Sequence, residues 1–380
     1  MSYNLRDLKI KKGISSSAAK NSGDKVFDSS HLFVLDSWVG LFYLLENFGK
    51  RPEFQAMPIL KTRAFSDHDL LSSWMEGPSM IRSANSTNSS RMPSSFEMKS
   101  MSAPLFLKDG DLYSFESRAK PYDIFFMEDH FIQQGLECDF KSYLATMQTD
   151  EWKQFFNHNS HNVIISRIER SQELNSWKVT AADGSQWVSP CLYWNMSLKS
   201  LLKHAPEMPF GLATRSAIQS LESTSAFMIG ITLNKQVCDA AHTFIIPQSY
   251  THSWGNFIVE TASEFSTSRP WFKCLFYPKV EEINEDVVLQ KIKLLKRSLT
   301  KLFPKLEACQ WKEKYSLDLN YAITANEADV ISQNDLEWLK QNQLLLLSGE
   351  FNQHGVAASN LAQFVENGLE ACFENISFHS

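Results

Sequence analysis

The sequence predicts a mixed α/β protein, because it combines amphipathic helical segments with short apolar runs typical of strands. The clearest helix is predicted over Glu285–Phe303, where apolar residues recur at spacings of three and four and Pro304 follows. A bare apolar run at Leu344–Leu347 predicts a buried strand. An Asp109-Gly110 pair between two apolar runs predicts a β-hairpin.

Composition narrows the class of protein. The chain has 380 residues, enough for two domains, and 43% of them are hydrophobic, as in ordinary globular proteins. The net charge of −6 comes from dispersed acids and bases, so nucleic acid is not the expected partner.

The six cysteines form no CxxC pair, so we predict buried thiols in a reducing compartment and no metal site. No apolar run approaches membrane-spanning length, and a cytoplasmic location without a membrane span is expected.

The N-terminal third is predicted from short-range patterns. Residues 26–33 are interpreted as a stretch that enters a helix, which continues through Asn47 and is ended by Gly49 and Pro52. A loop-like insertion rich in Ser, Asn and Met is predicted at 77–103. This third is also expected to contain a strand within 58–65 and helical segments at 125–134 and 140–158.

The middle of the chain is predicted to be mainly antiparallel sheet. Residues 163–168 open this unit, Trp177–Thr180 pairs with them, and Ala182–Ser185 forms the next turn. A strand is predicted to leave the unit at Asn195. Further predictions are a helix at 213–221 and strands at 227–233, 243–246, 256–260 and 271–277.

Four segments follow one another in an order that suggests a family. They are Lys12–Ser17 with Phe27–Phe33, the strand and hairpin from Val163 to Asn195, the helix ending at Phe303 with Gln310-Trp311, and Leu344–Ile376. In this order they resemble the flavin-containing amine oxidase, protoporphyrinogen oxidase and phytoene desaturase superfamily.

The resemblance implies a two-domain fold similar to that of FAD-dependent oxidoreductases. A discontinuous FAD/NAD(P)-binding-like domain would comprise residues 1–50, 156–204 and 326–380. A sheet-plus-helix domain similar to the family's substrate-binding domain would comprise 51–155 and 205–325.

One departure from the family concerns the nucleotide-binding turn. The family opens with a strand, a GxGxxG turn and a helix, whose glycines let the backbone approach a pyrophosphate. Here no two glycines lie closer than the six positions between Gly349 and Gly355, so the motif cannot occur. We therefore predict an incomplete Rossmann-type domain that lacks the N-terminal strand–turn–helix.

The resemblance also implies cofactor-binding residues near the predicted terminal strand. Glu350 would hold flavin ribityl or phosphate-linked hydroxyls, but it could equally be the solvated end of a core strand. Val163 matches a position where the family's backbone meets adenine, although a strand valine is more often a core residue. The implied FAD-binding positions are Gly349, Glu350, Val356, Ala357, Ala358 and Val163.

Two functions are compatible with the family resemblance and the missing glycine motif. The first is a degenerate flavoprotein-like protein that acts as a non-catalytic binding or assembly module, or that needs a partner chain to complete its nucleotide site. The alternative is an active FAD-dependent oxidoreductase of the amine oxidase or desaturase type. FAD binding is doubtful for the isolated chain, no catalytic residue is identified, and an incomplete N-terminus is a further explanation of the missing motif.

Overall fold

The computed structural model describes most of the core of the protein. The described residues are 25–36, 38–62, 80–83, 99–100, 105–108, 111–114, 136–139, 148–237, 243–246, 257–261, 271–276, 285–324 and 330–347. The predicted helix at 125–134, most of the insertion at 77–103, and residues 348–376 of the fourth family-like segment lie outside these ranges.

The described residues form both strands and helices, which confirms the mixed α/β class. The strands are β1 (Val26–Asp28), β2 (His31–Leu35), β3 (Ile59–Lys61), β4 (Met80–Ser83), β5 (Lys99–Ser100), β6 (Leu105–Lys108), β7 (Asp111–Ser114), β8 (Leu136–Asp139), β9 (Ser160–Asn162), β10 (Ile165–Ser171), β11 (Ser176–Ala181), β12 (Gln186–Ser189), β13 (Cys191–Trp194), β14 (Glu222–Leu233), β15 (Thr243–Ile246), β16 (Phe257–Thr261), β17 (Trp271–Phe276), β18 (Trp311–Thr324) and β19 (Leu344–Leu346). The helices are α1 (Trp38–Asn47), α2 (Asp150–Asn159), α3 (Leu198–His204), α4 (Leu212–Ser220), α5 (Glu285–Leu302) and α6 (Gln333–Gln341), with short 3-10 turns at Pro52–Gln55 and Pro304–Ala308.

A five-stranded parallel sheet forms one half of the core. Its spatial order is β9-β3-β2-β13-β19, and every neighbouring pair is parallel. The central strands are buried on both faces, as the unbroken apolar runs Leu32–Leu35 and Cys191–Trp194 require. The predicted terminal strand is confirmed, because β19 pairs with β13 and lies at the edge of this sheet.

The prediction that residues 26–33 enter the helix is wrong, because these residues form β1 and the first part of β2. An apolar run buried on both faces suits a parallel strand, and the helical spacing begins only after Ser37. The helix is confirmed from Trp38 to Asn47, and Gly49, with φ of 77°, follows its end.

A smaller sheet lies beside the parallel one. The antiparallel meander β10-β11-β12 is confirmed by its register, and β1 adds in parallel to β12. The predicted exit strand changes sheet, because β12 belongs to the meander and β13 to the parallel sheet. The change occurs at Pro190, where the buried Ser189 hydroxyl donates to the carbonyl of Cys191 at 2.8 Å.

The second half of the core is a seven-stranded sheet in the order β18-β14-β17-β16-β15-β6-β7. The predicted hairpin is confirmed, since Lys108 of β6 pairs with Asp111 of β7. Helix α5 covers one face of the sheet through the apolar stripe predicted for it, and the buried members of this stripe are Val288, Ile292, Leu295 and Leu299. Two of the predicted buried thiols, those of Cys191 and Cys274, are buried.

Candidate functional site

The parallel sheet contains a β–α–β unit where we predicted none. Strand β2 is followed directly by α1, and β3 then returns in parallel beside β2. This is the unit that carries the phosphate-binding turn in dinucleotide-binding folds. The prediction that the strand–turn–helix is lacking is therefore corrected: the unit is present at residues 31–61, without the glycine motif.

Gly40 of α1 has the packing role of a fingerprint glycine. A Cβ atom at Gly40 would lie 2.3 Å from Oδ1 of Asn195 and 2.9 Å from Cδ1 of Leu35, so no side chain fits there without movement. The third glycine of the fingerprint serves such close packing of helix against strand. Counting back from Gly40 places the first two fingerprint positions at Leu35 and Ser37, neither of which is glycine.

The sheet order also matches a doubly wound nucleotide fold. Numbered along the chain, the five parallel strands follow the order 3-2-1-4-5, so the direction of winding reverses between β2 and β13. In such sheets ligands bind in the crevice at the carboxyl ends of the strands beside this reversal. The carboxyl ends of β2, β13 and β19 therefore define the candidate site.

Asn195 fills this crevice. Its side chain is 2% exposed, its Oδ1 accepts from the backbone N–H of Asp36 at 3.0 Å, and its Nδ2 donates to the carbonyl of Leu347 at 2.9 Å. Backbone hydrogen bonds from Asn195 to Val34 and from Leu347 to Trp194 hold the same ends together. One side chain thus ties three strand ends at the point where a dinucleotide would enter.

A carboxylate occupies the turn after β2. The hydroxyl of Thr62, directly beyond β3, donates to Oδ1 of Asp36 at 2.5 Å and also lies within hydrogen-bonding distance of the Leu35 carbonyl, at 3.2 Å. Asp36 immediately precedes the segment that enters α1, where a helix N-terminus favours negative charge. The protein therefore places an anion of its own beside the helix start.

A lysine lies at the end of β3. Lys61 is 3% exposed, and its Nζ lies 5.4 Å from the ring centre of Phe156. Burial, together with the nearby charges of Lys61 and His158, lowers the pKa of His161. In dinucleotide-binding folds an acidic residue about 20 positions after the glycine turn holds the ribose hydroxyls. The corresponding strand end here carries the opposite charge.

Val163 is the one predicted site residue that the structure describes. It lies between β9 and β10, is 7% exposed, and belongs to the core shared by the parallel sheet and the meander. Its N–H donates to the carbonyl of Lys61 at 2.9 Å, which places it beside the end of β3. The other predicted positions, Gly349, Glu350, Val356, Ala357 and Ala358, lie outside the described residues.

Sequence reasoning missed the residues that meet at the crevice, namely Asp36, Gly40, Thr62 and Asn195. One available signal was the apolar run Leu32–Leu35 followed by a helical pattern containing Gly40, which is typical of a strand–turn–helix. No signal in the sequence pairs Asn195 with Asp36, because 159 positions separate them.

Within the described ranges, no cluster of three His, Cys, Asp or Glu side chains could hold a metal ion. In the same ranges, no helix is long and apolar enough to cross a bilayer.

Some proteins of known structure resemble this chain in fold, although their sequences are not similar to it. No protein-family model and no curated protein matches the sequence. A putrescine oxidase variant from a redesign of cofactor binding has a TM-score of 0.51 at 7% identity, with 92% of this chain and 99% of that chain covered. The PF1083 protein of Pyrococcus furiosus has a TM-score of 0.50 at 10% identity, with 92% and 98% covered. The chain therefore has the mixed α/β fold of the FAD-dependent oxidoreductase type.

Proposed function

We propose that this chain is a degenerate flavoprotein-like protein that acts as a non-catalytic binding or assembly module. The observation that carries the proposal is the charge at two positions of the nucleotide crevice, one added and one reversed relative to nucleotide-binding folds. Asp36 supplies a negative charge in the phosphate-binding turn, and Lys61 supplies a positive charge at the strand end where an acidic residue would hold ribose.

The phosphate side of the crevice does not fit FAD. A pyrophosphate binds such a turn because glycines let it reach backbone N–H groups at the helix N-terminus. Here the turn reads Leu35-Asp36-Ser37-Trp38, and the Asp36 carboxylate already accepts a hydrogen bond from Thr62. A second anion beside Asp36 would be repelled by it, and the side chains of this turn are larger than glycine.

The ribose side does not fit either. In these folds the ribose hydroxyls donate to a carboxylate, whereas the Lys61 ammonium can only donate to the hydroxyl oxygens, so the acceptor that such a site normally provides is missing at this strand end. Asn195 could in principle bind a ligand, but both ends of its amide are already engaged with Asp36 and Leu347. Hydrogen bonds thus already join Asp36, Thr62, Asn195 and Leu347 to one another at this crevice.

The alternative is an active FAD-dependent oxidoreductase of the amine oxidase or desaturase type. The strand order and the close packing at Gly40 favour it, because both are features that a nucleotide-binding unit uses. In this alternative Glu350, Val356 and the neighbouring positions supply flavin contacts, and a partner chain completes the phosphate site. Both candidates keep the cytoplasmic location as an expectation.

The test is FAD binding by the purified full chain. Bound flavin absorbs near roughly 370 and 450 nm, so a yellow protein, or tight binding in a titration, would overturn the proposal. We expect a colourless protein without measurable FAD affinity. If affinity is found, Glu350→Ala tests whether that residue contributes to it.

A gain-of-binding variant tests the charge argument. Asp36→Gly/Lys61→Gln removes both charges and is expected to bind FAD more tightly than the natural chain. Asp36→Gly/Lys153→Gln is the matched control, because it removes the charge of an exposed lysine (54%) that pairs with Asp150 within α2. Circular dichroism confirms that both variants fold. Equal FAD affinity in the two variants would refute the role assigned to Lys61.

A further inference from the structure

Helix α5 carries a line of positive charge on its outer side. Its apolar stripe packs against the seven-stranded sheet, and successive residues turn by about 100° around a helix axis. Lys293, Arg297 and Lys301 follow one another at intervals of four, which places them about 180° from the centre of that stripe. All three residues are exposed. These three residues, called the basic line below, therefore lie on the side of the helix that faces away from the sheet.

The basic line is not balanced by acids on the same helix. Between Asp286 and Glu307 the sequence has six lysines and arginines and no aspartate or glutamate. Like charges four positions apart on a helix destabilise it slightly. The exposed Lys153 of α2 shows a balanced arrangement, because it pairs with Asp150 at 3.3 Å. The stability of α5 therefore does not explain why the charges of this stretch are all positive.

Two of the other three cations in this stretch are engaged within the fold. Lys291 is 5% exposed, and its Nζ lies 5.0 Å from the ring centre of Phe276. Lys296 forms an ion pair with Glu313 of β18, and the two side chains are 13% and 14% exposed. The third, Lys305, is exposed in the turn that follows α5. Among the described residues the basic line makes no ion pair, so its charges face solvent.

The surroundings of the basic line suit a bilayer surface better than a protein partner. Protein interfaces are centred on apolar or aromatic side chains that lose contact with water. Here Leu295 and Leu299 are fully buried against the sheet, and Leu294 packs against the same core. Lysines and arginines alone are enough for attraction to the anionic headgroups of a bilayer. The outer side of α5 has the charges for such a contact and lacks the apolar anchor of a protein interface.

We propose that the basic line binds the surface of a bilayer that contains anionic phospholipid. The apolar stripe of α5 stays on the sheet, so the contact is electrostatic and reversible. With Lys305 the exposed charges number four, and each lysine or arginine near such a surface strengthens binding roughly fivefold. The contact uses none of the crevice residues, so it is independent of whether FAD binds.

Co-sedimentation of the full chain with vesicles tests the proposal. Vesicles of phosphatidylserine and phosphatidylcholine should pellet the natural chain at low salt, and vesicles of phosphatidylcholine alone should not. Raising the salt to about 0.5 M should release the chain, because the charges are then screened. The triple variant Lys293→Gln/Arg297→Gln/Lys301→Gln is expected to lower the partition coefficient about hundredfold.

The matched control is Lys153→Gln/Lys203→Gln/Lys340→Gln, which removes three exposed charges from α2, α3 and α6 and leaves the same net charge. It should change the partition coefficient by less than about threefold, since these charges do not form one line. Circular dichroism on each variant separates lost binding from lost folding.

Three results would rule out the bilayer contact. They are no binding to the phosphatidylserine vesicles, equal binding to phosphatidylcholine alone, and an equal loss in the two triple variants. Tighter binding of a soluble polyglutamate peptide than of the vesicles at the same salt would also rule it out, because the basic line would then be a site for an acidic protein segment.

Discussion

The contact between Gly40 and Asn195 yields the sharpest prediction about this fold. Replacing a helical glycine by alanine usually stabilises a helix by about 1 kcal/mol. Here the new Cβ would lie 2.3 Å from Asn195 Oδ1, so the amide must move. Overpacking costs about 1–3 kcal/mol, and weakening two buried hydrogen bonds adds about 1 kcal/mol each. Gly40→Ala is therefore expected to destabilise the parallel sheet by about 2–4 kcal/mol, in spite of the better helix propensity.

A double-mutant cycle isolates this contact. Asn195→Ala alone leaves the N–H of Asp36 and the carbonyl of Leu347 without their partner, which should cost about 2–6 kcal/mol. In the double variant the new Cβ no longer meets Asn195, and only the contact with Leu35 remains. The stability lost by the double variant should therefore be smaller than the sum of the two single losses by about 1 kcal/mol or more. Urea unfolding followed by near-UV circular dichroism, with hydrogen exchange of peptides covering residues 31–36, measures both effects.

The control is Gly211→Ala, whose Cβ would lie 3.6 Å from the nearest atom, at ordinary contact distance. It should change stability by less than about 0.5 kcal/mol. The reasoning fails if Gly40→Ala stabilises the protein, or if the losses from Gly40→Ala and Asn195→Ala simply add.

Two further predictions concern buried charges elsewhere in the fold. Burial alone would raise the pKa of Asp335, but hydrogen bonds from Thr214, Ser332 and a backbone N–H outweigh it and hold the pKa below its usual range. Asp335→Asn should therefore cost about 2 kcal/mol. Because the folded pKa is depressed, the natural chain should lose this stability as pH falls below the ordinary aspartate pKa of about 4, and the variant should show a weaker acid loss in urea titrations at several pH values. Lys273 and Glu260 form a buried pair at 4.0 Å, with 0% and 2% exposure. Lys273→Met should cost about 3–5 kcal/mol in urea unfolding, and adding Glu260→Gln should recover much of it; no recovery would contradict the pairing.

Local patterns predicted the local parts of this structure. Helix α5 and the hairpins β6-β7 and β10-β11 followed from apolar spacing and turn residues, because each is decided by neighbours in the chain. Helices α3 and α6 were missed, since both are short and each begins at a serine cap in an otherwise polar stretch. Short helices of this kind depend on tertiary packing more than on their own pattern.

The nucleotide-type unit was missed for a different reason. A search for glycines detects the turn of a functional site, whereas the β–α–β topology is fixed by burial of β2 and β3 on both faces. This chain has the burial pattern of such a unit but no glycine at the first two turn positions, so a glycine search and a burial pattern give different answers. The glycine at position 40 is explained by close packing against Leu35 of β2 and Asn195, which requires no ligand.

The crevice residues came from four distant parts of the chain, and no spacing rule connects them. Asn195 reaches Asp36 across 159 positions and Leu347 across 152. Only the order of the parallel strands brings these carboxyl ends together. The sequence therefore predicted the terminal strand, but the side chain that joins it to β2 required the structure.

The bonds that close this crevice also bear on what it can bind. A dinucleotide that used the crevice would first have to release Asn195 from Asp36 and Leu347, leaving two buried groups unpaired. That release costs about 1–3 kcal/mol for each group, and about 1.4 kcal/mol corresponds to a tenfold loss of affinity. The expected penalty is therefore about thirtyfold to twenty-thousandfold before any repulsion from Asp36 is counted. Because the same two bonds hold β2, β13 and β19 together, substitutions that open the crevice should weaken the parallel sheet by a similar amount.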